Sequence, residues 1–540
     1  MKGGFRQSMA WLHTWTGLPV GWVLFFVFLT GALGYFDSEI DRWMRPEAPL
    51  APPALPQAEG LALGLARLEQ VAPHASRWTV FPPSGHDVPH VTINWGAGTD
   101  ASGRRLRRSE TLDPATGAPL RTRATGGGQT LYQLHYTLHY LPAAAARWLV
   151  GVCSMLMLVA IVSGVITHKK IFTDFFTFRP RQGQRSWLDI HNVLSVTALP
   201  FHLVITYSGL VFFVFTYMSP VLDATYGGDG RGRFFDEAFR NPEIPPRAGA
   251  AAPLAPLASM YDVAKRHWGE APVRVATFYN PGDRNARVVF RRTHIDPVSN
   301  GGRMVFDGAT GELLERFDRR TGPMVVNHAL IGLHEGLFAG SVLRWIYFLT
   351  GLLGTAMIGT GLVLWTVKRK ARAASGGGMS PAAVRVIERL NVGTIAGLPI
   401  GVAAYFWANR LLPVGMADRA AWELHTLFLA WLAMLVLPWL RPARRAWLDA
   451  LGLAAIAYAA LPVLNALTTG QHLGASIPAG AWAVAGFDLA ALAAGLGFGC
   501  AAVWLRRQWA GAAAAGRAGD LVERSTTLPA ATPLPEDAAG

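Results

Sequence analysis

Two stretches decide the fold: LHTWTGLPVGWVLFFVFLTGALG, residues 12–34, and DIHNVLSVTALPFHLVITYSGL, residues 189–210. Each carries a histidine near its start, continues through apolar side chains without a charged one, and reaches a small-residue pair, Thr30-Gly31 or Ser208-Gly209. A bilayer core about 30 Å thick takes about 20 such residues at a rise of about 1.5 Å, so both stretches read as membrane-spanning helices. His13 lies 18 residues before Gly31 and His191 lies 18 before Gly209, which puts the two stretches 178 residues apart. That spacing is the first sign of an internal duplication.

The repeat extends beyond the helices. Asp113-Pro-Ala-Thr-Gly117 recurs as Asp307-Gly-Ala-Thr-Gly311, His139 aligns with His334, and Arg147-Trp148 aligns with Arg344-Trp345. The landmarks keep their order and nearly their spacing, so the chain contains two copies of a unit made of helix, exposed segment and helix. The D-x-x-T-G pairs suit hairpin turns.

Applied to all 540 residues, the length test finds eight spans, near 17–36, 148–167, 193–217, 345–367, 392–408, 424–440, 451–467 and 479–505. Composition agrees, with 51% hydrophobic and only 16% charged residues, which excludes a disordered chain and an ordinary soluble domain. The only cysteines, Cys153 and Cys500, lie in apolar runs, so a disulfide scaffold is excluded as well. The expected fold class is an integral membrane all-α bundle of about eight transmembrane helices. Its first four form a duplicated core, and two exposed α+β lobes accompany it. The boundaries are 1–36 for the first helix, 37–140 for lobe one, 141–219 for helices two and three, 220–335 for lobe two, 336–370 for helix four, 371–510 for four further helices and 511–540 for an unstructured tail. Within the lobes, 78–81 with 91–95 and 275–279 with 288–290 read as strand pairs.

The net charge of +14 follows the membrane rather than nucleic acid. Short connections after the even-numbered spans carry Lys169, Lys170, Arg179, Arg181 and Arg185, then Lys368, Arg369, Lys370 and Arg372, then Arg441, Arg444 and Arg445, then Arg506 and Arg507. The positive-inside rule makes these connections and both termini cytoplasmic and puts the lobes on the far side, the periplasm of a two-membrane bacterium.

Histidine is costly inside a membrane, and one found there is a candidate site. His13, His168 and His191 fall near the cytoplasmic face, and His139 and His334 near the other. His202 lies eleven residues beyond His191, about 16 Å along a helix. Two layers of imidazoles on different helices are what two non-covalent b-type haems require, each iron gripped by two histidines. The duplication pairs His139 with His334 around the outer haem and His13 with His191 around the inner one. His168 stands as an alternative inner ligand. His202 is a third-choice ligand, a hydrogen-bonding partner of a propionate or a bridge between the layers. Small residues such as Gly31, Gly34, Gly164, Gly209, Gly351 and Gly354 allow close approach of helix and macrocycle. Arg147 and Arg344 have the charge to meet propionates or an anionic substrate. His135 and His139, four apart, share a helix face with spacing suited to a divalent metal, but no acidic third ligand is near.

Leu12-His13-x3-Gly17 with Thr30-Gly31, the two D-x-x-T-G turns, Ser163-Gly164-x3-His168-Lys169 followed by Phe178-Arg179-Pro180, and Asp189-Ile190-His191-Asn192 with Pro200 and Ser208-Gly209 resemble the PepSY-associated transmembrane helix family of iron-regulated membrane proteins and siderophore reductases. The resemblance covers residues 1 to about 370. It implies a di-haem oxidoreductase of the bacterial inner membrane with PepSY-like periplasmic lobes, reducing a ferric siderophore and releasing Fe(II). No nucleotide fingerprint is visible in the cytoplasmic connections, so the donor would be a quinol or a separate protein on the cytoplasmic side. The competing expectation is a haem-free binding or assembly partner of an iron or siderophore transporter. Among the four C-terminal spans, Glu423, His425, His472 and Asp488 read as interface or packing residues.

Overall fold

The computed structural model describes residues 4–83, 89–99, 105–168, 172–173, 175, 179, 183–239, 242–270, 272–294, 296–298, 302–318 and 322–526. Lys169, Lys170, Phe178, Pro180 and Arg181, used above for topology and resemblance, lie outside them. Among the described residues, seven helical segments are long and apolar enough to cross a membrane: Phe5–Gly34, Ala143–Thr167, Ser341–Ala374, Pro381–Leu411, Arg419–Leu440, Ala443–Thr468 and Trp482–Ala510. The chain is thus a multi-pass membrane protein, mostly helical, with one sheet.

The expected third span is not a straight helix. It consists of Gln184–Thr197 and Leu199–Phe212, bent by 68°, and counts as an eighth span only if the two halves are taken together. Pro200 explains the break: its ring cannot donate to the preceding turn, and it disfavours helical backbone in the residue before it. Ala198, at φ −115°, absorbs the turn. The eighth helix runs on to Thr526, so the stretch expected to be unstructured from 511 begins as helix. Its Ala-rich composition favours that continuation; residues 527–540 lie outside the described ones.

Both expected strand pairs form, but they do not build two separate lobes. β1 (Arg77–Phe81), β2 (Val91–Thr99), β3 (Arg105–Leu112), β4 (Val273–Tyr279), β5 (Arg287–Arg292), β6 (Arg303–Asp307) and β7 (Leu313–Phe317) form one seven-stranded sheet in the order β3-β2-β1-β4-β5-β6-β7. β1 and β4 are equivalent strands of the two copies, and each would otherwise leave an open edge. They pair antiparallel, with Thr79 opposite Thr277, so the two segments share one hydrogen-bonded seam. Helices Gln57–Val71 and Leu257–Trp268 cover one face, where Leu61, Leu68, Trp78, Ile93, Met260, Phe278, Phe290 and Phe306 form a single core.

The two D-x-x-T-G turns are built alike. The Asp113 side chain accepts from the amide of Ala115 and that of Asp307 from Ala309, while Gly117 and Gly311 donate back to the aspartate carbonyls at 2.8 and 2.9 Å. Both glycines have positive φ, 70° and 78°, which is why glycine closes the motif.

The expected lobe boundaries also need correction at their ends. Helices Gly127–Thr137 and Gly322–Glu335 were included in the lobes, yet Leu131 and Leu134 belong to the main apolar core of the bundle. The second copy places Gly322–Glu335 against Leu199–Phe212 in the same manner. Each of these two helices follows the last strand of its copy in the chain and packs on the bundle.

Candidate functional site

Four histidines are mounted in one way. His13 Nδ1 lies 2.8 Å from the carbonyl of Ala160, His135 Nδ1 2.7 Å from Val27, His191 Nδ1 3.0 Å from Met357 and His334 Nδ1 3.0 Å from Ile205. In every case a glycine stands four residues after that carbonyl: Gly164, Gly31, Gly361 and Gly209. A Cβ on these glycines would fall 3.1 Å from His13, 2.5 Å from His135, 3.2 Å from His191 and 3.0 Å from His334. Each ring therefore lies on a glycine of a neighbouring helix and donates to a carbonyl that already accepts along the helix. A Ser or Thr precedes each glycine, at positions 163, 30, 360 and 208. The hydroxyls of Thr30, Ser163 and Thr360 donate to carbonyls four residues back in their own helix, and the Thr360 and Ser208 hydroxyls also lie 3.4 and 3.1 Å from Nδ1 of His191 and His334.

The chemical consequence is definite. A carbonyl only accepts, so Nδ1 carries the proton in all four rings and Nε2 is left as a lone pair, the tautomer of a metal-ligating histidine held by an outer partner. Burial also keeps the two sheet-side rings neutral: it lowers the pKa of His135 and brings that of His334 to about 3, with His135 adding to the latter shift.

The rings meet in pairs. His13 and His191 have centroids 6.4 Å apart, and His135 and His334 6.0 Å. Two imidazoles on one metal ion, each with a bond of about 2 Å and a ring centre roughly 1 Å further on, have centroids about 6 Å apart. Each pair joins equivalent residues of the two copies, so each lies across the pseudo-twofold axis.

Two cavities accompany the pairs. One of about 370 Å³ is lined by His135, His334, Gly31, Gly209, Phe28 and Phe212. The other, of about 310 Å³, is lined by His13, His191, Gly164, Gly361, Val20 and Leu364. Leu24 and Met157 border both, so the cavities are stacked with a thin apolar partition between them. Arg147 and Arg231 line the sheet-side cavity, and Lys368 and Arg369 the other. A large flat apolar group with two anionic arms and an iron that takes two imidazoles fits these linings, and haem b has those properties.

The structure separates two residues from the roles expected for them. His139 does not face His334; it stands beyond the end of its helix, against Phe428 at 6.0 Å and His425 at 6.4 Å, and His135 occupies the expected place. The helix ends at Leu138, whose φ of 50° turns the chain before His139 is reached. Arg344 is engaged by Glu39 and lies over the Phe36 ring at 4.8 Å, away from the cavity lining, whereas Arg147 is part of it. His168 lines the cavity of His13 and His191 and contacts Asn192 at 3.2 Å. His202 lines the same cavity from the partition. Among the described residues no group of three or more His, Cys, Asp or Glu could hold a metal ion, the expected spacing of His135 and His139 included. Sequence reasoning missed His135 as a partner of His334 and missed Gly361; the repeated Ser/Thr-Gly pair is the signal that leads to both.

Residues 10–368 match the model of the PepSY-associated TM region, and the chain belongs to that family. No curated protein matches it.

Proposed function

We propose that this PepSY-associated membrane protein is a two-haem electron-transfer protein that reduces a ferric siderophore on the side of the sheet. The observation that carries the reading is the fourfold histidine-on-glycine mounting, which commits each Nδ1 to a backbone carbonyl, leaves each Nε2 as a lone pair, and puts one pair of rings on the lining of each cavity. His13 and His191 would hold one haem b, and His135 and His334 the other. Bound there, the pair would supply a one-electron path from one face of the bundle to the other. Leu24 and Met157, which border both cavities, would lie between the two haems, and Arg147 with Arg231, and Lys368 with Arg369, have the charge that would offset the propionates.

The substrate reading follows from the ion. Siderophores grip Fe(III) through hard oxygen donors, and one added electron gives Fe(II), whose lower charge binds them more weakly, so iron is released for uptake. The donor is a quinol or a protein at the opposite face, and the membrane is the bacterial inner membrane with the sheet in the periplasm, as the flanking cations favour. Protein purified from haem-replete cells should show low-spin haem bands in a reduced-minus-oxidised spectrum, at two haems per chain. A colourless preparation would instead support a haem-free partner of a transporter.

The glycine mounting makes a graded prediction. Gly31→Ala puts a methyl 2.5 Å from His135 Nδ1 and forces the ring off the Val27 carbonyl, whereas Gly164→Ala, at 3.1 Å from His13, asks for a shift of tenths of an ångström. Loss of such an outer hydrogen bond costs about 10–100-fold in affinity. Haem titration into apoprotein should show that loss at one site for Gly31→Ala and a smaller one for Gly164→Ala.

A further inference from the structure

His202 is the one buried histidine of the core without a counterpart in the first copy. The 178-residue offset that relates His13 to His191 puts Leu24 at its place. Leu24 borders both cavities; His202 lines the cavity of His13 and His191 and touches, at ring distances of 6.3 and 6.1 Å, Phe28 and Phe201, which line the other. It therefore stands in the partition, four residues after the break at Ala198.

The side chain is 1% exposed. Nε2 lies 3.4 Å from the carbonyl of Thr350, and Gly354, four residues on, gives it room, a longer version of the mounting used by the other four histidines. The carbonyl can only accept, so Nε2 carries the proton. Nδ1 is then an unprotonated acceptor, and it has no hydrogen-bond partner among the described residues. A buried lone pair without a donor is costly, and in a medium of low dielectric constant its partial negative charge acts strongly on a nearby charge.

We propose that His202 makes the two haem sites unequal: its lone pair, held at the partition by Thr350 and Gly354, stabilises the oxidised, more positive state of the haem held by His13 and His191 and so lowers that haem's potential below its neighbour's. The inference rests on the two-haem reading above and adds its direction. An electron entering at the face away from the sheet then runs downhill toward the sheet.

The test is a spectroscopic redox titration of holoprotein in a His135→Ala background, where only the haem of His13 and His191 is expected to remain. His202→Leu, which copies the first repeat, should shift the reduction equilibrium roughly tenfold toward the reduced form, a rise of about 59 mV for one electron. His202→Asn, which retains an acceptor near the position of Nδ1, should stay close to the parent. An unchanged midpoint in His202→Leu, an equal rise in His202→Asn, or loss of the remaining haem in His202→Leu would each overturn the proposal, the last by making His202 a ligand. Absence of haem in the unsubstituted protein would instead defeat the parent reading, which separates the two failures.

Discussion

His135→Ala or His334→Ala is expected to halve the haem content, from two per chain to one, and to leave the remaining low-spin spectrum intact. The two rings face each other at 6.0 Å, each with Nδ1 committed to a backbone carbonyl, so removing either leaves an iron with a single imidazole in a cavity without another histidine on its lining. His13→Ala or His191→Ala should remove the other haem, and each pair should be independent because the cavities share only the partition around Leu24 and Met157. His139→Ala is the control: it is exposed, stands against Phe428 and His425, and its loss should leave both haems and their spectra unchanged. Pyridine haemochrome quantification on the purified variants reads the result directly. One haem lost in His139→Ala, or two retained in His334→Ala, would refute the assignment.

Why the sequence pointed to His139 is a matter of register. The repeat landmarks on either side of the histidine lie 194 and 197 residues apart between copies, and His139 to His334, at 195, falls between them. His135 to His334 is 199 and breaks the progression. The second copy has five more residues than the first between the D-x-x-T-G turn and the histidine, and the first has two more between His135 and Arg147-Trp148, around the left-handed turn at Leu138 and His139, so the two changes partly cancel and the flanking offsets hide the shift. The inner pair suffers no such shift because the offset of 178 holds without a break from its histidines to Gly31 and Gly209, 18 residues further on, the glycines that seat the other pair.

The fusion of the two exposed segments was hidden for a different reason. Alternation of side chains identifies a strand but not its neighbour, and the β1–β4 seam joins residues about 200 apart through backbone groups that all sequences share. The glycines were legible as close-approach sites, though not as seats for imidazoles. That function needs the carbonyl four residues earlier and the ring from another helix, which only the packed bundle brings together.

Glu423→Ala is expected to cost about 3–5 kcal/mol, the usual penalty for breaking a buried ion pair from one side. Glu423 and Arg419 are both fully buried in side chain and bonded to each other. Glu423 also accepts from Asn409 at 2.8 Å, from the Thr125 hydroxyl at 2.6 Å and from the Gly126 amide at 3.1 Å, and Arg419 donates to the Ala124 carbonyl at 2.8 Å. The alanine variant would strand a guanidinium in the core and release the 124–126 loop. That loop leads directly into the Gly127–Thr137 helix, whose His135 is a proposed ligand, and Tyr405 holds the same helix start through the Gly127 carbonyl at 2.9 Å. The C-terminal spans thus hold the start of the helix that carries His135. Thermal unfolding of the detergent-purified protein followed by circular dichroism should show a lowered midpoint, with the haem of His135 and His334 lost before that of His13 and His191. Glu423→Gln, which keeps the shape and one of the two acceptor oxygens, should fall between. The double variant Arg419→Met/Glu423→Ala should recover part of the loss, because no buried charge is left unpaired. Simultaneous release of both haems at an unshifted midpoint would show that the C-terminal spans do not support the site.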